Sequence, residues 1–313
     1  MTDSNQESGS EDYGPLSSAA VGVLLKEMVR RAIEAIQAQL FSFEAQSKDS
    51  PFSDKPDFVT TADQTAQEIY LRLIQRCFPG YGVIAEEDNH RISCSLPGAN
   101  FCITVDPLDG TKAFMRRQSY GVGTMVSLLR DEEIISAYVG DVMTRELYGF
   151  RPQSNNVHRI SQYNIGRKLQ IDPDRPLSNQ VLLVSDPPRT FSERVRRVLL
   201  PEILGSESTH RPFRSFEITS GSIGIEFSRL WKSEVGGLVV RQGPMTPWDF
   251  CPVFGISRKL GFVFLGVYED GLRPIKPPAL RRAFSLEREC LIVHQSRIDE
   301  LRGALYGKDH TLA

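Results

Sequence analysis

Asp106-Pro107-Leu108-Asp109-Gly110-Thr111-Lys112, directly after the apolar run Phe101 to Val105, is the stretch on which the reading of this chain turns. Pro107 fixes the backbone as it leaves the strand, so two aspartates three apart can turn inward together, and Gly110 tolerates a conformation that a side chain resists. Carboxylates grouped with backbone carbonyls suit hard cations such as Mg²⁺, whose shell is often completed by substrate phosphate. A second apolar run, Tyr81 to Ala85, is followed at once by Glu86 and Glu87, and Asp249 stands far along the chain. If Glu86 and Asp249 converge on Asp106 and Asp109, four acids can hold two ions roughly 3.5–4 Å apart, an arrangement for phosphoryl transfer. Each acid alone reads as a solvated turn residue, because Asp-Pro and Asp-Gly are ordinary turn dipeptides. Together, acids ending two strands around a Pro/Gly-punctuated pair favour a metal site. A helix opening at Gly110 to Thr111 aims free N–H groups at the same place, where a phosphate oxygen can bind. Lys112 either meets that phosphate as a point charge or is a solvated first-turn lysine.

Outward from this segment, Val21, Leu25, Met28, Ala32, Ile36 and Leu40 recur at steps of three and four, which predicts an amphipathic helix from Pro15 to about Gln46. Ser47 to Pro56 reads as a loop. A second helix begins near Thr61, with Gln64 completing a capping box and Ile69, Leu73 and Cys77 on one face, and Pro79-Gly80 ends it. Val122 to Leu129, Ile134 to Val139 and Leu147 to Phe150, separated by polar turns, read as an antiparallel meander. The polar stretch Arg151 to Asn179 reads as a domain junction. Beyond it strands and helices alternate: Val181 to Val184, Ser192 to Leu204, a helix opening at Ser222, Gly236 to Val240, Trp248 to Leu260, Phe262 to Val267, Cys290 to Val293 and Ser296 to Tyr306. The expected organisation is a disordered lead-in over 1–14, an α+β domain over 15–170 carrying most of the acids, and a mixed α/β domain over 171–313 carrying Asp249.

Composition sets the limits. The 313 residues carry 37 basic and 39 acidic side chains, a net charge of −2, which gives no support for a nucleic-acid polymer as partner. No apolar run reaches the ~18 residues needed to cross a bilayer, and the polar N-terminus has no signal-like apolar core. The five cysteines are scattered, with no C-x-x-C pair, so neither a disulfide framework nor a zinc site is expected and a reducing cytoplasm fits.

Four blocks, Lys55 to Asp63, Ala85-Glu86-Glu87, Asp106 to Phe114 and Pro247-Trp248-Asp249, resemble in order and spacing the lithium-sensitive, Mg²⁺-dependent phosphatase superfamily of inositol monophosphatase, 3'(2'),5'-bisphosphate nucleotidase and fructose-1,6-bisphosphatase. Gly140 to Tyr148 and Gly221-Ser222 also resemble family segments, and the likeness runs from roughly Leu24 to Gly261. It implies a layered α-β-α-β-α sandwich, usually homodimeric, using two or three Mg²⁺ ions and inhibited by lithium. Carried over by position, Glu86, Asp106 and the Leu108 carbonyl would hold one ion, and Asp106, Asp109 and Asp249 a second. Thr111, paired with Asp63, would orient and help deprotonate water, and the Gly110 and Thr111 amides would hold phosphate.

Lys112 after Asp-Gly-Thr resembles the bisphosphate nucleotidase branch, so the leading expectation is hydrolysis of adenosine 3',5'-bisphosphate to AMP and phosphate. The chain departs from that branch at Glu226, where a lysine is common, and at Asp186 to Arg189. After Asp249 the usual small residues are replaced by Phe250, Cys251, Pro252 and Val253, with Pro252 read as lying in a first helical turn. The alternatives are hydrolysis of inositol monophosphate or another sugar phosphate, and a catalytically silent regulatory relative.

Overall fold

The computed structural model describes residues 13, 16–49, 57–172, 174–200, 211–277 and 279–306. Helix α1 (Ser18–Ala38) starts at Ser17, whose hydroxyl accepts from the Ala20 amide, and buries Val21, Leu25, Met28, Ala32 and Ile36. It ends eight residues before Gln46, because the chain there turns into β1 (Ala45–Lys48), which pairs antiparallel with β2 (Asp57–Thr60). The expected helix tail and the start of the expected loop thus hold β1, and residues 50–56 of that loop lie outside the described residues; β1 is polar and mostly exposed, so no apolar alternation marks it.

Thr60, not Thr61, caps α2 (Thr61–Cys77), and Asp63 rather than Gln64 completes the box by accepting from the Thr60 amide at 2.7 Å. The face that α2 buries carries Ala62, Ala66, Tyr70 and Ile74, while Ile69, Leu73 and Cys77 lie half-buried beside it. Small alanines let the helix sit close to the sheet beneath.

The next strands are β3 (Gly82–Ala85), β4 (Arg91–Ile92) and β5 (Phe101–Asp109), followed by the short helix α3 (Thr111–Met115). Then come β6 (Gly123–Arg130), β7 (Glu133–Asp141), β8 (Leu147–Phe150), β9 (His158–Ile160) and β10 (Gly166–Lys168). They form one sheet in the order β10-β9-β8-β7-β6-β5-β3-β4, in which β3 runs parallel to β5 and the meander β6 to β8 is antiparallel. Within the stretch Arg151 to Asn179 read as a junction, β9 and β10 extend this sheet at its edge. Short, exposed edge strands carry little periodicity to read.

The second half gives β11 (Val181–Val184), α4 (Glu193–Leu199), β12 (Ser215–Ile218), α5 (Ile223–Trp231), β13 (Gly237–Val240), β14 (Gly243–Met245) and α6 (Pro247–Lys259). After these follow β15 (Phe262–Tyr268), β16 (Gly271–Pro274), β17 (Phe284–Leu286), β18 (Cys290–His294) and α7 (Ile298–Tyr306). The helix expected over Ser192 to Leu204 is α4, capped by Ser192; residues 201–204 lie outside the described residues. A six-stranded mixed sheet has the order β12-β11-β13-β18-β15-β16.

The layers follow from what each helix buries. Helices α1 and α2 cover the outer face of the first sheet, α5 and α6 fill the space between the two sheets, and α4 and α7 cover the far face of the second. This is the α-β-α-β-α sandwich. Its central layer is aromatic: Phe250 stacks on Phe254 at 4.8 Å between ring centroids and meets Phe284 edge-on at 4.9 Å, and the Trp231 indole donates to Ser257 Oγ at 2.9 Å. Tyr13, placed in the lead-in by sequence, is buried, and Tyr81 Oη donates to its carbonyl. Residues 1–12 and 14 lie outside the described residues. Among the described residues no helix is long and apolar enough to cross a membrane.

Phe250→Ala should open a cavity in the central layer and cost about 3–5 kcal/mol, read as a lower urea midpoint at unchanged slope. A loss under about 1 kcal/mol would mean that Phe250 does not hold the layers together.

Candidate active site

The acids are brought together by a break in the sheet. In a regular strand residues three apart face opposite sides, which would separate Asp106 from Asp109. Strand β5 does not end at Val105 but continues to Asp109, and its register against β6 shifts between Asp106, opposite Met125, and Asp109, opposite Gly123. Three steps on one strand match two on the other, a bulge at Pro107-Leu108 that turns both aspartates to one side. Gly110 then takes φ +89°, and a Cβ there would meet the Gly121 carbonyl and stand 2.7 Å from the Ser222 amide. Glycine is required twice over, for conformation and for close approach.

Each acid has its own support. Asp109 lies across the N-terminus of α5: its Oδ2 accepts from the Gly224 amide at 2.8 Å and from the Ser222 hydroxyl, and its Oδ1 from the Ile223 amide at 3.2 Å. Asp249 sits in the first turn of α6, where the Thr246 hydroxyl donates to its Oδ2 at 2.7 Å. Asp106 is 1% exposed, and its Oδ1 is buried without a hydrogen-bond partner among the described residues. Ligand atoms of Asp106, Asp109 and Asp249 all lie within 4.8 Å of one another.

Glu86 lines the same cleft, of about 280 Å³, from the end of β3, but its Oε1 is held by Lys48 Nζ at 3.0 Å. Lys48 also binds Glu87 at 2.8 Å, and the Gln67 side-chain amide clamps the Glu87 backbone through both its N–H and its carbonyl. Sequence reasoning missed Lys48 and Gln67: one lies on the unrecognised strand β1, and the other is a buried polar residue on a helix read by its apolar face.

The remaining residues singled out from sequence divide. Thr111 Oγ lies 3.0 Å from Asp63 Oδ1 and 3.2 Å from the Leu108 carbonyl, so one hydroxyl bridges α2 and the bulge. Lys112 lines the cleft, yet its side chain is 54% exposed and its amine lies 3.8 Å from Asp57. Glu226 is buried on α5 and does not line the cleft. Phe250, Cys251 and Val253 belong to the core between the sheets, Pro252 is buried on the same helix, and none of the four lines the cleft. Pro252 is the sixth residue of α6, not a first-turn residue, so it offers no N–H to the Trp248 carbonyl.

Burial, then mutual repulsion, sets the electrostatics. Burial holds Asp106 well above the ordinary carboxylate range, with Glu86, Asp109 and Asp249 adding to it. Burial and Asp249 raise Asp109 to about 7 despite its hydrogen bonds from Ser222, Gly224 and Ile223, and burial chiefly raises Asp249. Glu86 is raised to about 8 by burial, against the pull of Lys48. Clustered buried carboxylates with an orphaned oxygen fit a divalent oxygen-seeking cation: Asp106, Asp109 and Asp249 would hold it, and Glu86 and Leu108 line the same cleft.

Acids whose folded pKa is raised contribute stability below their unfolded pKa of about 4 and lose it as pH climbs through the folded value. The metal-free protein should therefore lose thermal stability between about pH 4 and pH 8, and Mg²⁺ should restore more of it at pH 8 than at pH 6. Calorimetry should find this decline shallower in Asp106→Asn. A wild-type slope equal to the variant's would contradict the repulsion.

The profile of the inositol monophosphatase family matches residues 19–305. Inositol-1-monophosphatase of Bacillus subtilis is 24% identical over 243 residues, covering 76% of this chain and 82% of that protein. Nus factor SuhB of Vibrio cholerae serotype O1 is 25% identical over 216 residues, 66% of this chain and 71% of that one. The solved structure of an IMPase/NADP phosphatase complexed with NADP and Ca²⁺ has a TM-score of 0.67, with 15% identity, over 94% of this chain and 98% of that one, a likeness of fold. With that profile spanning both sheets and all four acids, the chain belongs to the inositol monophosphatase family.

Proposed function

We propose that the protein is a Mg²⁺-dependent phosphomonoesterase acting on a small polyol or sugar phosphate. The observation that carries this is the orphaned Asp106 oxygen inside a buried cluster of acids, which leaves a cation as the natural partner. Bound divalent ions would stabilise charge on the phosphoryl oxygens and lower the pKa of the attacking water.

The chain's own groups do the rest. Thr111 Oγ donates to Asp63, which leaves its lone pairs open to receive a water proton as its own passes to the carboxylate. Burial raises Asp63 above its ordinary value, making it a better proton acceptor, while hydrogen bonds from Thr60 and Thr111 oppose that rise. Gly110 and Thr111 line the cleft at the start of α3, where their amides would suit a phosphate oxygen.

The cleft of about 280 Å³ lies at the small end of ligand sites, which favours a single ring bearing one phosphate. A second reading, the 3'(2'),5'-bisphosphate nucleotidase, is supported by Lys112 and Arg116 on the cleft wall, two cations that a second phosphate could meet. A phosphate-release panel in Mg²⁺ separates them: inositol and sugar monophosphates should be hydrolysed faster than adenosine 3',5'-bisphosphate, and the reverse order would select the nucleotidase.

Thr111→Ala should lower kcat about 10²–10⁴-fold with Mg²⁺ binding and thermal stability little changed. Retained kcat would remove Thr111 and Asp63 from the proton path.

A further inference from the structure

A second cavity, of about 450 Å³, opens where β3, β4 and the start of β5 meet the loop before β17, and it shares no lining residue with the acidic cleft. Arg91, Arg281 and Arg282 line it, and among the described residues Glu132 is its one acid. Arg281 is largely buried, its side chain 17% exposed. Its Nη1 donates to Asn100 Oδ1 at 2.5 Å and its Nη2 to the Asn100 carbonyl, while its buried Nε–H has no acceptor. Glu132 Oε1 stands 3.9 Å from that Nε, beyond hydrogen-bond reach, and Oε2 of the same carboxylate accepts from the Leu280 amide at 2.5 Å. Among the described residues Arg91 donates to two neutral groups, the Arg281 carbonyl at 3.3 Å and Asn89 Oδ1 at 3.1 Å.

Arg91, Arg281 and Cys102 line the same cavity. Burial lifts the Cys102 thiol to about 11, and Arg281 and Arg91 both pull against that rise, so both charges are felt at the cavity wall. Three guanidinium groups and one carboxylate give the lining a surplus of positive charge. A guanidinium with an open N–H edge offers the planar fork that takes phosphate through paired hydrogen bonds.

We propose that this cavity binds a small phosphate dianion, inorganic or on a phosphorylated metabolite, at a site separate from the acidic cleft. The volume lies within the range of small-ligand sites. The proposal stands whether or not the cleft hydrolyses sugar phosphates.

Inorganic phosphate titrated into the metal-free protein, in EDTA at constant ionic strength, tests it by calorimetry and thermal denaturation. The expected result is saturable binding in the millimolar range with a rise in Tm of about 2–4 °C. Arg91→Ala/Arg282→Ala should abolish it, and Arg282→Glu alone, at an exposed position, should weaken phosphate at least about tenfold with an unchanged far-UV spectrum. Lys112→Ala/Arg116→Ala, on the wall of the cleft, should leave it intact. No saturable binding, binding unaffected by the arginine variants, or binding lost instead with Lys112 and Arg116 would each overturn the proposal, the last by placing phosphate in the acidic cleft.

Discussion

Carboxylates packed together out of water repel one another, and the architecture around them is arranged to bear that repulsion. Asp106, Asp109 and Asp249 are all pushed toward protonation, burial being the largest cause for each. What partly compensates is the placing of acids at helix starts, where free amides and the helix dipole favour negative charge. Asp63 is in the first turn of α2, Asp249 in the first turn of α6, and Asp109 accepts two amides at the start of α5. Among these aspartates only Asp106 lacks such support, on Oδ1, and a cation would supply what the protein leaves out.

The sandwich exists, in this light, to aim helix N-termini at a strand end. The central layer carries α5 and α6 from the second half onto the first sheet, so Ser222, Gly224 and Asp249 reach the bulge in β5 from across the molecule. Close approach is made by backbone: the Ser222 amide donates to the Gly121 carbonyl at 2.9 Å, and a side chain at Gly110 or Gly221 would strike that carbonyl. Phe250 and Val253 of α6 fill the core and do not line the cleft. The departures after Asp249 therefore alter packing between the sheets and leave the lining of the cleft unchanged.

The acids were legible because they follow apolar runs and are punctuated by proline and glycine, a local pattern that one strand and its turn specify. Helix α1 was legible from its apolar steps of three and four, though it ends at Ala38, and the meander from apolar runs between polar turns; α5 and α6 were placed in the alternation of strands and helices. The hairpin β1–β2 was not, since its strands are polar and their pairing, Ala45 opposite Thr60, is a relation between distant segments. That loss hid Lys48, whose contacts with Glu86 and Glu87 depend on the hairpin. The bulge was half legible: Pro107 marked an irregularity, but that the strand resumes to Asp109 depends on its pairing with β6. Glu226 was singled out as a departure from the lysine of the nucleotidase branch, and on α5 it is buried and does not line the cleft.

The central claim is that the cluster is completed by cations, and ion position tests it most directly. Anomalous scattering from crystals of the protein soaked in Mn²⁺ should place ions in contact with Asp106 Oδ1, with Asp109 and Asp249 as further ligands. Ordered water or a side-chain amine against Asp106 Oδ1 at saturating Mn²⁺, with no anomalous peak among the three aspartates, would contradict it.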